Sequence, residues 1–307
     1  MSLEMNPTAR NNANLLQFVV EARGLGRYTI DVSLPPARKP GEKFPVILVT
    51  DGNMFFDTVQ AYLHGGVGII SYIPPAIVVG VGYPADEGLG SFLARRTFDF
   101  YGDWDMTDTV GKLLHESLEG VKAAEGKPEL EMKAGGAVRF SDFLRNELLP
   151  ALAEQFPIDA SAKHTLIGVS SGGHYVLRAL YDPDSPFSRY ICVSPGFGAG
   201  AGAIEELEAQ YAAAHSDLEA RVYICCGREE VATMAFARVG SGVIWVAEQF
   251  ANRAWKRAHV DWEILNNENH HSSPTRAIAS GLRSVFGKRP GVDKDEPLPT
   301  QDSRQRG

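Results

Sequence analysis

Thr165-Leu-Ile-Gly-Val-Ser-Ser-Gly-Gly-His-Tyr175 reads as a short apolar strand, Thr165–Val169, running straight into a helix that begins near Gly172. Between the two stands Gly168-Val-Ser-Ser-Gly172, the G-x-S-x-G pattern of a nucleophile elbow. The spacing has a physical cause. A serine on so sharp a strand-to-helix turn is held in a strained backbone, and a Cβ at either flank would strike the neighbouring strand or helix. Gly168 and Gly172 remove those collisions and leave the Ser170 hydroxyl exposed at the top of a sheet. The helix N-terminus behind it offers backbone N–H groups and partial positive charge to a developing oxyanion.

Outward from the elbow the chain alternates strands and helices. Phe44–Thr50 and Ala76–Val81 are nearly unbroken apolar runs, the mark of strands buried on both faces. Tyr190–Ser194, Val222–Cys226 and Val260–Leu265 read as further strands. Helical spacing covers Phe56–His64, Val138–Phe156, Ile204–Ala214 and Val243–Ala258. Ser273 and Pro274 form an N-cap and N1 pair that opens a final helix carrying Ile278, Leu282, Val285 and Phe286 on one face. Leu15–Glu21 and Arg27–Leu34, joined by Gly24-Leu-Gly26, read as an antiparallel hairpin. The expected fold is therefore α/β: a mostly parallel central sheet with an antiparallel N-terminal edge hairpin and helices on both faces. The expected division is a flexible N-terminus over 1–14, one domain over 15–287 with an irregular insert at 82–136, and a disordered tail over 288–307.

The 307 residues carry a net charge of −8, which argues against a nucleic-acid binder. No run is long enough to span a membrane, and the polar start lacks a signal core. Cys192, Cys225 and Cys226 sit in apolar strand-like runs without metal-knuckle spacing, which fits free thiols in a reducing, cytoplasmic setting. Neither a cofactor nor a metal is expected. The expected partner is a small-molecule ester, and the oligomeric state stays open.

In a parallel sheet of this kind ligands bind at the carboxyl ends of the strands. A serine nucleophile there needs a base, and the base needs an orienting acid. The usual chain order behind such an elbow is serine, acid, histidine. Val222–Cys226 ends in Gly227-Arg-Glu-Glu230, and Glu230, three residues past the glycine, is preferred over Glu229 as the acid. The last strand ends in Asn266-Asn-Glu-Asn-His-His-Ser-Ser-Pro274, which supplies the base. His271 is preferred over His270 because it abuts the helix start. The Ser171 N–H and the Asn53 N–H, in the turn Asp51-Gly-Asn53, are the expected oxyanion-hole donors. The insert brings Phe92, Phe98, Phe100, Tyr101 and Trp104 as an apolar wall, with Arg96 and Asp99 as polar points for substrate binding. Arg96 could meet an acidic or catecholate oxygen, or pair with Asp99 to hold the insert.

Rival readings have weaker patterns. Gly198, Gly200 and Ala203 satisfy a relaxed dinucleotide-binding spacing, but it comes late in the chain and the next strand ends in Cys-Cys-Gly. A metal held by His270, His271 and Asp51 or Asp99 has no ligand spacing behind it. A non-catalytic binding module on the same fold is the remaining alternative.

The chain resembles the esterase branch of the α/β-hydrolases, which includes enterochelin (ferric siderophore) esterases, S-formylglutathione hydrolases, feruloyl esterases and mycolyltransferases. The resemblance rests on Phe44–Phe56, Val79–Tyr83, Arg96–Asp99, Gly135–Pro150, the elbow and His271–Gly287, and spans residues 27–287. It implies an α/β-hydrolase fold and a serine esterase with a Ser-His-Glu triad. It leaves ferric-siderophore ester hydrolysis or acyl transfer as alternatives on the same site. Three positions depart from the pattern: Val169 stands where histidine is frequent, Ser171 where a bulky apolar residue is usual, and the histidine is doubled.

Overall fold

Val46–Thr50, Ile77–Gly82 and His164–Val169 are buried along their whole lengths, as strands covered on both faces must be. The computed structural model describes residues 4–6, 14–65 and 73–287. Its strands are β1 Glu4–Asn6, β2 Leu15–Ala22, β3 Gly26–Ser33, β4 Val46–Thr50, β5 Ile77–Gly82, β6 His164–Val169, β7 Phe187–Val193, β8 Ala220–Gly227 and β9 Ala258–Leu265. They form one nine-stranded sheet in the order β1-β2-β3-β5-β4-β6-β7-β8-β9. β5 through β9 run parallel, while β1, β2 and β3 are antiparallel at the N-terminal side. This is the α/β-hydrolase type of architecture.

The helices are α1 Gly52–Gln60, α2 Gly88–Phe100, α3 Thr109–Glu125, α4 Ala137–Asp142, α5 Leu149–Gln155, α6 Ser171–Leu180, α7 Ala203–Ala214, α8 Glu230–Thr233, α9 Val239–Arg253 and α10 Ser273–Phe286. A π-helical stretch, Phe143–Leu148, joins α4 to α5. Strand parity decides which face each side chain takes. Ile47, Val49, Ile167, Val193 and Cys225 pack with Phe56 and Val59 of α1 and Ile278, Leu282 and Val285 of α10. Val46, Leu48, Leu166, Cys192 and Cys226 pack on the opposite face with α4, α5, α6 and α9. Adjacent Cys225 and Cys226 thus enter different cores, and the three cysteines are free and buried.

The β2–β3 hairpin forms the expected antiparallel N-terminal edge, with the short β1 added outside β2. The structure departs from the expected elements in three places. α1 starts at Gly52 rather than Phe56, because Asp51 takes a left-handed conformation (φ 51°) that turns the chain straight from β4 into the helix. Ser272 rather than Ser273 caps α10. The insert is not irregular: α2 and α3 fill most of it. Their apolar periodicity is weak for a physical reason. α2 buries Gly90, Thr97, Asp99 and Phe100, and α3 buries Val110, Gly111 and Leu118, so polar and small residues occupy positions where a pattern needs large apolar ones. Residues 1–3 and 7–13 of the expected flexible N-terminus, and the tail 288–307, lie outside the described residues. No helix among the described residues is long and apolar enough to cross a membrane.

Candidate active site

β6 delivers Ser170 to the carboxyl edge of the sheet, where it sits at φ 58°, ψ −118°. That conformation is costly for a residue with a Cβ, and its neighbours hold it there. The Ser170 N–H donates to Val193 O at 2.9 Å, and Ser170 O accepts the His174 N–H at 3.0 Å. A Cβ on Gly168 would run into the carbonyl of Gly172, and one on Gly172 would meet Thr50 Oγ1 at 2.5 Å. The elbow therefore requires both glycines.

Ser170 Oγ lies 3.1 Å from His270 Nε2, and His270 Nδ1 lies 2.8 Å from Glu230 Oε2. A carboxylate only accepts, so Nδ1 carries the proton and the Nε2 lone pair faces the serine hydroxyl. Glu230 is fully buried at the start of α8. Its Oε1 accepts from the Gly227 N–H at 2.7 Å and from Ser194 Oγ at 2.8 Å. Burial pushes the Glu230 pKa up, but the donors from His270, Gly227 and Ser194 outweigh it and leave the carboxyl below its ordinary value. Glu229 caps α8, and its carboxylate has no part in this chain of hydrogen bonds.

The structure thus brings together Ser170, His270 and Glu230, not His271. His271 is exposed, its N–H donating to Asn269 Oδ1 at 3.0 Å, although it lines the same cavity. The reason lies in the turn before α10. Asn269 Oδ1 also accepts the Ser272 N–H, while the Asn269 N–H donates to Ser272 Oγ. This knot presents residue 270 inward and 271 outward.

Ser171 is the first residue of α6 and Asn53 lies in the first turn of α1, where N–H groups have no intrahelical acceptor. Asn53 and Ser170 line one cavity of about 670 Å³. The Asn53 side chain holds Tyr83 from both sides: the Tyr83 N–H donates to Oδ1 at 2.7 Å, and Nδ2 donates to Tyr83 O at 2.6 Å.

Arg96 and Asp99 do not meet each other. The Arg96 guanidinium grips Asp51 through Nε–Oδ1 (3.0 Å) and Nη2–Oδ2 (2.7 Å), and Nη1 donates to Ser171 Oγ at 3.2 Å. Burial opposes the Arg96 charge, but Asp51 holds it protonated above its ordinary value. Asp99 instead accepts from Tyr28 Oη (2.7 Å) and Tyr83 Oη (3.0 Å), and burial raises its pKa to about 6. Of the aromatics expected to wall the site, Phe92 lines the cavity, whereas Phe100 and Tyr101 are core residues. Tyr101 Oη donates to Ser171 Oγ at 2.9 Å. A serine at 171 is explained by these two donors, which a bulky apolar side chain could not satisfy. Asp51, Tyr101, Ser194 and Ser273 support the site without a motif of their own. Asp51 and Ser194 directly follow β4 and β7, whereas Tyr101 follows α2 and Ser273 opens α10.

Residues 119–273, just over half of the chain, match the family described as "Putative esterase". The chain belongs to that esterase family. Its matched span contains Ser170, Glu230 and His270. Among curated proteins, this family member is 30% identical over 174 residues to the ferri-bacillibactin esterase BesA of Bacillus subtilis, a match covering 55% of this chain and 53% of the relative. It is 28% identical over 193 residues to the siderophore triacetylfusarinine C esterase of Aspergillus fumigatus, covering 62% of this chain and 58% of that one. The chain spans little more than half the length of these relatives. Among solved structures, the BES protein from Bacillus cereus superposes with a TM-score of 0.71 at 26% identity, covering 91% of this chain and 97% of the other.

Proposed function

We propose that this esterase-family chain is a serine hydrolase that cleaves carboxylic esters through an acyl-enzyme on Ser170. One observation carries the reading: the unbroken hydrogen-bond chain from Ser170 Oγ through His270 to the buried Glu230, opening on a cavity. In the first half-reaction Ser170 Oγ attacks the ester carbonyl carbon, and its proton passes to His270 Nε2. Glu230 stabilises the imidazolium and keeps the ring oriented. The N–H groups of Ser171 and Asn53 hold the oxyanion. Collapse breaks the ester C–O bond, and His270 returns the proton to the departing alcohol. Water then attacks the acyl group with Nε2 as base, which releases the acid and restores Ser170.

Esters of siderophores are the substrate class we propose, because both curated relatives are named as esterases of that kind. A cytoplasmic location belongs to the same reading, supported by three buried free thiols. The test is Ser170→Ala against wild type, with hydrolysis of a siderophore ester and labelling by a fluorophosphonate probe as readouts. Loss of labelling and a fall in kcat on the order of 10⁴-fold are expected. Labelling that survives in Ser170→Ala but vanishes in Ser171→Ala would move the nucleophile.

A further inference from the structure

Ser194 stands one residue past the carboxyl end of β7 and is completely buried. Its backbone takes φ 47°, a left-handed conformation that glycine adopts freely and a residue with a Cβ adopts at a cost. A turn alone would be served better by glycine; what serine adds is a hydroxyl.

The turn around Ser194 joins the nucleophile to the acid. On one side Val193 O accepts the Ser170 N–H at 2.9 Å, and the elbow helix packs so closely that a Cβ on Gly173 would lie 2.9 Å from the same oxygen. On the other, the Ser194 N–H donates to Cys225 O at 2.7 Å, which fixes the residue against β8, the strand that leads to Glu230. Held from both sides, Ser194 Oγ donates to Glu230 Oε1 at 2.8 Å. It also lies 3.2 Å from Ser273 Oγ. Ser273, whose N–H donates to Asn269 O at 3.0 Å, belongs to the turn that brings His270 to Ser170.

Glu230 has to stay ionised and keep its orientation while His270 gains and loses a proton. Its Oε2 serves His270, so the plane of the carboxyl is set at Oε1. There the Gly227 N–H donates at 2.7 Å from the acid's own loop, and Ser194 donates from a different strand end. We propose that Ser194 is a positioning residue, a fourth member of the Ser170–His270–Glu230 chain that holds the carboxylate in plane and shares its negative charge with His270. The proposal rests on the hydrolase reading above.

The titratable groups that meet Glu230 are His270, from the turn before α10, and Cys225 and Cys226 of β8, whose thiols burial raises and leaves uncharged. The His271 ring lies 6.1 Å from that of His270 and is exposed, and Arg96, which lines the same cavity, is ion-paired with Asp51. Without the Ser194 hydroxyl, the charge of the carboxylate falls more fully on the His270 Nδ1–H. The imidazolium gains stability, so the base becomes available only at higher pH.

The experiment measures kcat, KM and melting temperature for wild type, Ser194→Ala and Ser194→Gly, with 4-nitrophenyl butyrate as substrate. The pH dependence of kcat/KM is followed from about pH 5 to about pH 9. Both variants should lose on the order of tenfold in kcat with KM nearly unchanged, and in both the acid limb should move up by about half a pH unit. Ser194→Gly is relieved of the backbone cost and should melt no lower than Ser194→Ala, so it decides the matter if the alanine variant folds poorly. Full activity in Ser194→Gly, or lost activity with an acid limb that stays in place or moves down, would overturn the inference and leave Ser194 a turn residue. Failure of the hydrolase reading shows differently: wild type itself neither turns the ester over nor takes the fluorophosphonate on Ser170.

Discussion

His270 and His271 are neighbours with the same chemistry, yet the Asn269–Ser272 turn brings the ring of His270 to Ser170 and leaves His271 exposed. His270→Ala should therefore cost on the order of 10³-fold in kcat/KM, and His271→Ala less than about tenfold. The opposite ranking in ester hydrolysis would return the base to His271. Glu230 makes a second, independent prediction. Its pKa in the fold lies below the ordinary 4.5, so the folded protein favours the ionised carboxylate. That stability is complete above the unfolded value and is lost as pH falls through the folded one. In Glu230→Gln the corresponding acid limb should flatten when denaturant unfolding is followed from about pH 6 to pH 3. An acid limb of unchanged slope in the variant would show that Glu230 is not its source.

Asn53 ties the first turn of α1 to Tyr83 by two hydrogen bonds, and this holds the N–H assigned to the oxyanion. Gly82 makes room for it, since a Cβ there would strike Asn53 Oδ1. Asn53→Ala should lower kcat by roughly tenfold with KM nearly unchanged, because a displaced donor is felt mainly in the transition state. Gly82→Ala should reproduce the same kinetic signature. A fall in melting temperature with kcat intact would mean that the clamp is structural only. α1 also marks a boundary of legibility. The helix could be seen in the sequence, but its start depends on the left-handed Asp51, and an aspartate tolerates that conformation without announcing it.

At the scale of the molecule, the Arg96–Asp51 pair joins the end of β4, the insert helix α2 and, through Ser171, the elbow helix α6. Both side chains are withdrawn from water, Asp51 completely. Arg96→Met leaves Asp51 buried without a partner and should cost about 3–5 kcal/mol in denaturant unfolding. Arg96→Met combined with Asp51→Asn should lose clearly less; an equal or larger loss would show that the pair's charges are not what the fold depends on. The division between sequence and structure follows the range of the forces. The parallel sheet, the elbow with its two glycines and the placing of Ser170 and Glu230 at the carboxyl ends of strands were legible because strand burial and elbow sterics leave their mark on residues close in the chain. Which of His270 and His271 faces Ser170, the partner of Arg96 and the burial of Asp99 were decided by three-dimensional structure. Arg96 and Asp99 meet side chains tens of residues away, and the direction of His270 comes from the conformation of the Asn269–Ser272 turn; neither spacing nor periodicity records these.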